Sequence, residues 1–258
     1  MIFTTVFSNL TPVFSANGYT VINSQTLLET NTLDTLELNY TSRPTVTVSG
    51  SEPYTITDDV TFDGSNIRKI QFPNATSGKN LNSVVTVKFN NCGKLNNKSI
   101  DMKLVYSDIV TKGNNPMLYW SAYGKNMATN NEWWYSNIEH VTVKIYFYYS
   151  GSNTPIPLNT AYLSLFSEDR NEGASSNMST NQYLYEKTYL EYLSSTSSTT
   201  VSRIYKNVFR GTVGSEVGGN TEAGTAKCVS FQYKNTNNIQ VELYSLGNKV
   251  DVRLSSSI

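Results

Sequence analysis

The chain predicts an all-β protein, an antiparallel β-sandwich of jelly-roll-like type, and three observations carry that prediction. Apolar residues recur at every second position through most of its length, the spacing of strands with one buried face. The i, i+3, i+4 spacing of amphipathic helices is nearly absent. Short Asn-, Gly-, Ser- and Pro-rich segments punctuate the alternating runs at intervals typical of sandwiches.

Taken in order, Leu36, Leu38 and Tyr40 share one face, as do Val46 and Val48, then Val85, Val87 and Phe89, then Ile100, Met102, Leu104 and Tyr106. The longest run is Val141, Val143, Ile145, Phe147 and Tyr149. Val229, Phe231 and Tyr233, then Ile239, Val241 and Leu243, then Val250, Val252 and Leu254 close the chain. Turn chemistry separates the runs at Asp63-Gly64, Ser77-Gly78, Asn91-Cys92-Gly93, Lys112 to Pro116, Ser150 to Pro155 and Leu246 to Asn248. Residues 182–193 read equally as a helical turn or a strand, and the Ser/Thr run 194–202 reads as a loop or linker. The polar stretch 74–83 marks a soft boundary between an N-terminal β subdomain or strand-donating arm (1–80) and a main sandwich (81–258).

At 258 residues with zero formal net charge, the chain is long enough for a large core. Charged residues make up 16%, against about 25% in ordinary soluble domains, so the surface must be rich in hydroxyls and amides. Nucleic acid is an unfavoured partner, because phosphate neutralisation needs a clustered excess of Lys and Arg. No apolar run approaches the roughly 20 residues that span a bilayer, so membrane insertion is not expected. The opening MIFTTVFSNLTPVF has no basic region before its apolar residues, which leaves either an unsecreted protein or a chain whose signal has been removed.

Aromatic residues are the first candidate site. Trp120 and Tyr123 precede an Asn-rich loop that ends at Trp133, Trp134 and Tyr135. Neighbours on a strand point to opposite faces, so one of Trp133 and Trp134 is expected in the core and the other outside. An exposed indole flanked by amides suits a sugar ring, whose C–H face stacks while the amides bond its hydroxyls. Tyr146 and Tyr148 share the outward face of their strand with Thr142 and Lys144.

The acidic loop Glu168, Asp169, Asn171 and Glu172 offers the oxygen ligands that calcium prefers, although without the spacing of an EF-hand. No other cofactor is expected. His140 is the only histidine, and with no nucleophile motif beside it the expectation is a solvated residue at a strand end. Counting alternation along their strands places Cys92 and Cys228 on the sides away from the core. They read as two unpaired thiols or as a single bridge between distant strands. Lys88, Lys103 and Lys144 lie opposite the apolar faces and read as ordinary surface lysines, not as partners in an intramolecular amide bond.

LNNKSIDMKLVYSDIV (95–110), the WWYS run, VTVKIYFYYSGSNTPIPLNTAYLSLFSEDRNEGASS (141–176), VFRGT (208–212) and AKCVSFQYKNTNNIQVEL (226–243) follow one another in an order that resembles domains of wall-anchored surface adhesins of Gram-positive bacteria. Glucan-binding and antigen I/II type adhesins are looser relatives in the same sense. The resemblance implies a β-sandwich ligand-binding module outside the cell, with the loop 168–172 as its candidate cation site. The expected function is therefore a non-enzymatic adhesin-type domain that recognises a surface glycan or protein and is capable of self-association. The alternative is a structural subunit of an extracellular filament, spore appendage or phage particle, assembled through strand edges.

Overall fold

The computed structural model describes residues 13–14, 20–22, 36–38, 43–60, 66–123, 131–166, 171–185, 188–213, 227–246 and 251–257. In chain order its strands are β1 (Val13–Phe14), β2 (Thr20–Ile22), β3 (Leu36–Leu38), β4 (Thr45–Gly50), β5 (Thr55–Val60), β6 (Asn66–Gln71), β7 (Asn80–Leu81), β8 (Ser83–Leu95), β9 (Lys98–Thr111) and β10 (Met117–Tyr123). There follow β11 (Asn131–Ser136), β12 (Ile138–Tyr149), β13 (Leu158–Phe166), β14 (Glu172–Ser175), β15 (Asn181–Tyr185), β16 (Leu190–Ser197), β17 (Ile204–Gly211), β18 (Val229–Thr236), β19 (Ile239–Ser245) and β20 (Asp251–Ser257). Among the described residues there is no helix.

The strands form two sheets around one core, as the alternation requires. The first runs β1-β2-β15-β18-β13-β20-β11-β10-β6-β5, and the second β16-β17-β14-β19-β12-β9-β8-β3 with β4 also on β8 and β7 on β9. Pairing is antiparallel except between β2 and β15, which run parallel. Strands from residues 1–80 enter both sheets, and Val46, Ile70, Phe72 and Ala75 belong to the same apolar cluster as Val143, Phe147 and Phe231.

Strand β12 shows how the pattern becomes packing. Val141, Val143 and Ile145 are fully buried and Phe147 nearly so. At about 1.5–3 kcal/mol for each large apolar side chain removed from water, this face outweighs any local preference. Its partners are β9 and β19, with Val143 opposite Tyr106 and Val241.

Asparagine abundance has a backbone explanation. Asn91, Asn96, Asn97, Asn115, Asn137, Asn171, Asn207 and Asn235 all adopt positive φ, which Asn tolerates better than other residues bearing a Cβ. Asn96 and Asn97 form the two-residue turn between β8 and β9, where Leu95 pairs with Lys98. The turn expected at Asn91-Cys92-Gly93 is instead an irregularity inside β8, where the register shifts between Phe89 and Gly93. That shift corrects the prediction for Cys92. The extra backbone turns its side chain inward, and it is buried in the main cluster.

Asn137 has a larger consequence. It joins β11 of the first sheet to β12 of the second, so the Trp133-Trp134-Tyr135 run and the alternating strand that follows lie in opposite layers. Its carbonyl accepts from the amides of Lys112 and Gly113, and its side-chain amide donates to the Asn114 carbonyl at 2.8 Å. The ambiguous segment 182–193 resolves as strand, divided between β15 and β16.

Candidate functional site

Of the five aromatic candidates, Trp120 and Tyr135 lie in the core. Trp120 is 2% exposed, and its indole N–H donates to the Tyr106 hydroxyl at 2.8 Å while the two rings meet edge to face at 5.7 Å. Tyr135 is equally buried. Both are core residues, contrary to their expected place on a binding surface, because β10 and β11 turn these positions toward the second sheet. Trp133 pairs in register with Trp120, and Trp134 with Tyr119. The side chains of Tyr123, Trp133 and Trp134 lie outside the described residues.

A different aromatic surface occupies the outward face of the second sheet. Alternation along β12 directs Lys144, Tyr146 and Tyr148 away from the core, Tyr146 half-buried and Tyr148 covered at 7% exposure, and register sets Lys103 of β9 directly opposite Tyr146. The Lys103 ammonium lies 4.8 Å from the Tyr146 ring centroid and 5.0 Å from that of Tyr148, and the two rings are 6.4 Å apart. A cation over ring faces is stabilised by the ring quadrupole. Lys88 of β8 is directly opposite Lys103 and pairs with the Asp101 carboxylate at 3.3 Å. Burial raises the Asp101 carboxyl, but the Asn91 amide, the Ser150 hydroxyl and Lys88 outweigh it and hold it below its ordinary value. Amide formation needs a neutral amine and a protonated carboxyl, so Lys88 and Asp101 stand as an ion pair. All three lysines face outward as expected.

Further along the same strand is a cluster that sequence reasoning missed. His140 is fully buried, not solvated. Its ring lies between Tyr205 at 5.1 Å, nearly parallel, and Tyr244 at 5.0 Å. Nδ1 is 3.0 Å from the Asp108 carbonyl oxygen, which can only accept, so Nδ1 bears a hydrogen. Nε2 has no hydrogen-bond partner and faces Glu242 Oε2 at 3.7 Å. His140 holds the Glu242 carboxyl below its ordinary value against the upward push of burial, helped by the Tyr244 hydroxyl at 2.6 Å.

The segment 198–203 caps this cluster. Glu139, also fully buried, accepts from the hydroxyls of Ser198, Thr199, Thr200 and Tyr205. Burial raises its carboxyl, and these donors together bring it below its ordinary value. Arg203 makes a two-pronged bond to Asp108 at 2.9 and 2.5 Å and lies over the Tyr205 ring. Of the run 194–202 expected to be a loop or linker, residues 194–197 belong to β16 and the rest form a fitted lid bound to Glu139. One signal was legible: Glu139 and His140 are adjacent polar residues at the start of an otherwise alternating strand, where the register shifts.

In the acidic loop, Glu168 and Asp169 lie outside the described residues. Asn171 stands at φ 69°, its carbonyl accepting from the Leu246 amide, and Glu172 opens β14 at 2% exposure. Among the described residues no cluster of acidic, His and Cys side chains could hold a metal ion. Cys92 and Cys228 are both buried with no disulfide between them; Cys228 lies on the Ser230 side of its strand, opposite the core residues Val229, Phe231 and Tyr233, as alternation predicts. The Cys92 thiol is 3.6 Å from the Ile100 carbonyl, and burial, with Asp101 nearby, pushes it up to about 12. The Cys228 thiol lies 3.8 Å from the Ser230 hydroxyl. No helix among the described residues is long and apolar enough to cross a membrane.

With both sheets traced, the chain can be set beside known structures. Its fold is like that of a bacterial adhesin domain. The crystal structure of the N-terminal domain of the Streptococcus gordonii adhesin Sgo0707 matches it with a TM-score of 0.54 at 11% sequence identity, covering 88% of this chain and 63% of that one. At that identity the likeness lies in the path of the backbone and transfers no residue. No family model matches the chain, and no curated protein matches it in sequence.

Proposed function

We propose that the chain is a non-enzymatic binding domain of adhesin type, acting at a cell surface on a glycan or protein, with its ligand on the outward face of the second sheet. The arrangement of Tyr146, Tyr148 and Lys103 is the observation that carries this reading. It puts the accessible ring of Tyr146, backed by the buried Tyr148, and a cation on strands whose opposite side is anchored in the core, so the platform is rigid before a ligand arrives. The adhesin-like backbone supports the same reading. So does the enclosure of His140, since a substrate would have to displace the 198–203 lid to reach it.

The test is binding of the purified chain to an array of surface glycans and matrix proteins, with Tyr146→Ala and Trp134→Ala in parallel. Loss of a positive signal with Tyr146→Ala is expected. Signals that survive Tyr146→Ala and vanish with Trp134→Ala would move the site to the first sheet, and a blank array would remove the reading altogether.

A structural-subunit role has one observation of its own. Strand β16 closes one side of the second sheet, and its last residues, Leu193 to Ser197, carry neither charge nor proline, the usual guards of a sheet edge. Light scattering separates the two readings, because a concentration-independent monomer would rule out assembly through that edge.

A further inference from the structure

Three lysines crowd the platform more closely than stability alone favours. Lys88 and Lys103 are directly opposed across β8 and β9, and Lys144 is the diagonal neighbour of Lys103 across β9 and β12. Directly opposed like charges on a sheet face are destabilising. The first of two acids of the described residues beside this group is Asp101. It lies beneath Lys88 at 4% exposure, already bonded to the Asn91 amide at 2.9 Å and the Ser150 hydroxyl at 2.9 Å. Glu242, the second, is the diagonal neighbour of Lys144 on β19 and accepts from the Tyr244 hydroxyl. Counting Lys88, Lys103 and Lys144 against Asp101 and Glu242, the face carries 3 − 2 = +1, in a chain whose formal net charge is zero.

Segregated positive charge beside ring faces matches one kind of ligand. Resting on the adhesin-type reading above, we infer that this face takes an anionic glycan, a sugar chain bearing carboxylate or sulfate groups. A sugar ring lies with its C–H face on Tyr146, and the acid group is received by Lys103 and Lys144, with Lys88 alongside. The half-buried state of Lys103, Lys144 and Tyr146 suits this, because side chains already packed along their stems lose less freedom when a ligand binds. A neutral glycan would use the rings and leave the opposed lysines without a partner. The acid group relieves the repulsion between them, so binding is coupled to stability.

The experiment titrates the full chain by calorimetry with polygalacturonate as the carboxylate probe, dextran sulfate as the sulfate probe and dextran as the neutral control. Binding to at least one charged polymer is expected, with the responding probe naming the acid group. Lys103→Gln should weaken it about tenfold, Tyr146→Ala should abolish it, and affinity should fall as salt is raised, since exposed charges are screened. Circular dichroism checks that both variants stay folded.

Equal binding of dextran, binding of a charged polymer that Lys103→Gln and Lys144→Gln leave unchanged, or no binding to either charged polymer would overturn the inference. If a neutral glycan or a protein from the array binds, and Tyr146→Ala abolishes that binding while Lys103→Gln does not, the platform stands and only its anionic specificity falls. If Tyr146→Ala changes no interaction of the chain, both fall together.

Discussion

Replacing Trp120 by alanine separates a core role from a binding role. The indole is 2% exposed and fills the space between the sheets against Tyr106. Truncating a buried Trp costs about 3–5 kcal/mol in lost burial and residual cavity. The Tyr106 hydroxyl, which now accepts the indole N–H at 2.8 Å, loses that partner, at a further cost of about 1–3 kcal/mol unless water enters. Whole-domain stability is about 5–15 kcal/mol, so the variant should lie near the edge of folding. Trp120→Phe keeps most of the ring volume and should lose about 1–3 kcal/mol, mainly for the missing donor. At about 2–4 °C per kcal/mol for a domain of this size, that is a Tm drop of roughly 2–12 °C. The assay is urea and thermal unfolding followed by circular dichroism, with ligand binding measured on the folded Phe variant. An unchanged midpoint together with lost binding would refute the core assignment and return Trp120 to the surface.

Acid, alkali, thiol chemistry and backbone geometry give further tests. Asp101, Asp108, Glu139 and Glu242 are each held below the ordinary carboxylate range, so their contribution is present above the unfolded values near about pH 4 and is lost as pH falls toward the folded ones. The urea midpoint should therefore hold between about pH 7 and 5 and drop below about pH 4, with a smaller drop in Glu139→Gln; a midpoint constant down to about pH 3 would contradict this. Tyr106, Tyr205, Tyr233 and Tyr244 are all raised, chiefly by burial. Their contribution is intact below the unfolded tyrosine value near about 10 and is lost as pH rises beyond it, so their tyrosinate absorbance should appear only with unfolding. Cys92 and Cys228 should resist iodoacetamide in the native protein and both react in urea, as followed by mass spectrometry. Gly50 stands at φ +123°, where a Cβ would come within 2.1 Å of the Asn82 carbonyl oxygen, so Gly50→Ala should lower stability by at least about 1–3 kcal/mol in urea unfolding.

The residues that misled and those that informed differ in a physical way. Strand periodicity is local, and the inward sets on β8, β9, β12, β18 and β19 are buried as alternation requires. Cys92 broke the count because one irregularity in β8 turns its side chain inward before the alternation resumes at Leu95, and nothing short of the pairing with β9 reveals it. Trp120 looked like a binding residue because composition cannot tell an indole under the opposite sheet from one in solvent. The lid over His140 was illegible for a related reason. Glu139 and its donors Ser198, Thr199 and Thr200 are separated by about sixty positions, and hydroxyl-rich runs ordinarily read as linkers.

By itself the sequence determined the class of fold, the outward orientation of Lys88, Lys103 and Lys144, and the poverty of charge that leaves the surface to hydroxyls and amides. Those properties depend on spacing and composition, which the chain carries along its length. Only the tertiary structure decided which aromatic residues reach solvent, that Asn137 sends neighbouring segments into opposite layers, and that Lys88, Lys103 and Tyr146 form one row across three strands. Such neighbours are set by strand register and sheet order, through contacts between residues far apart in the chain.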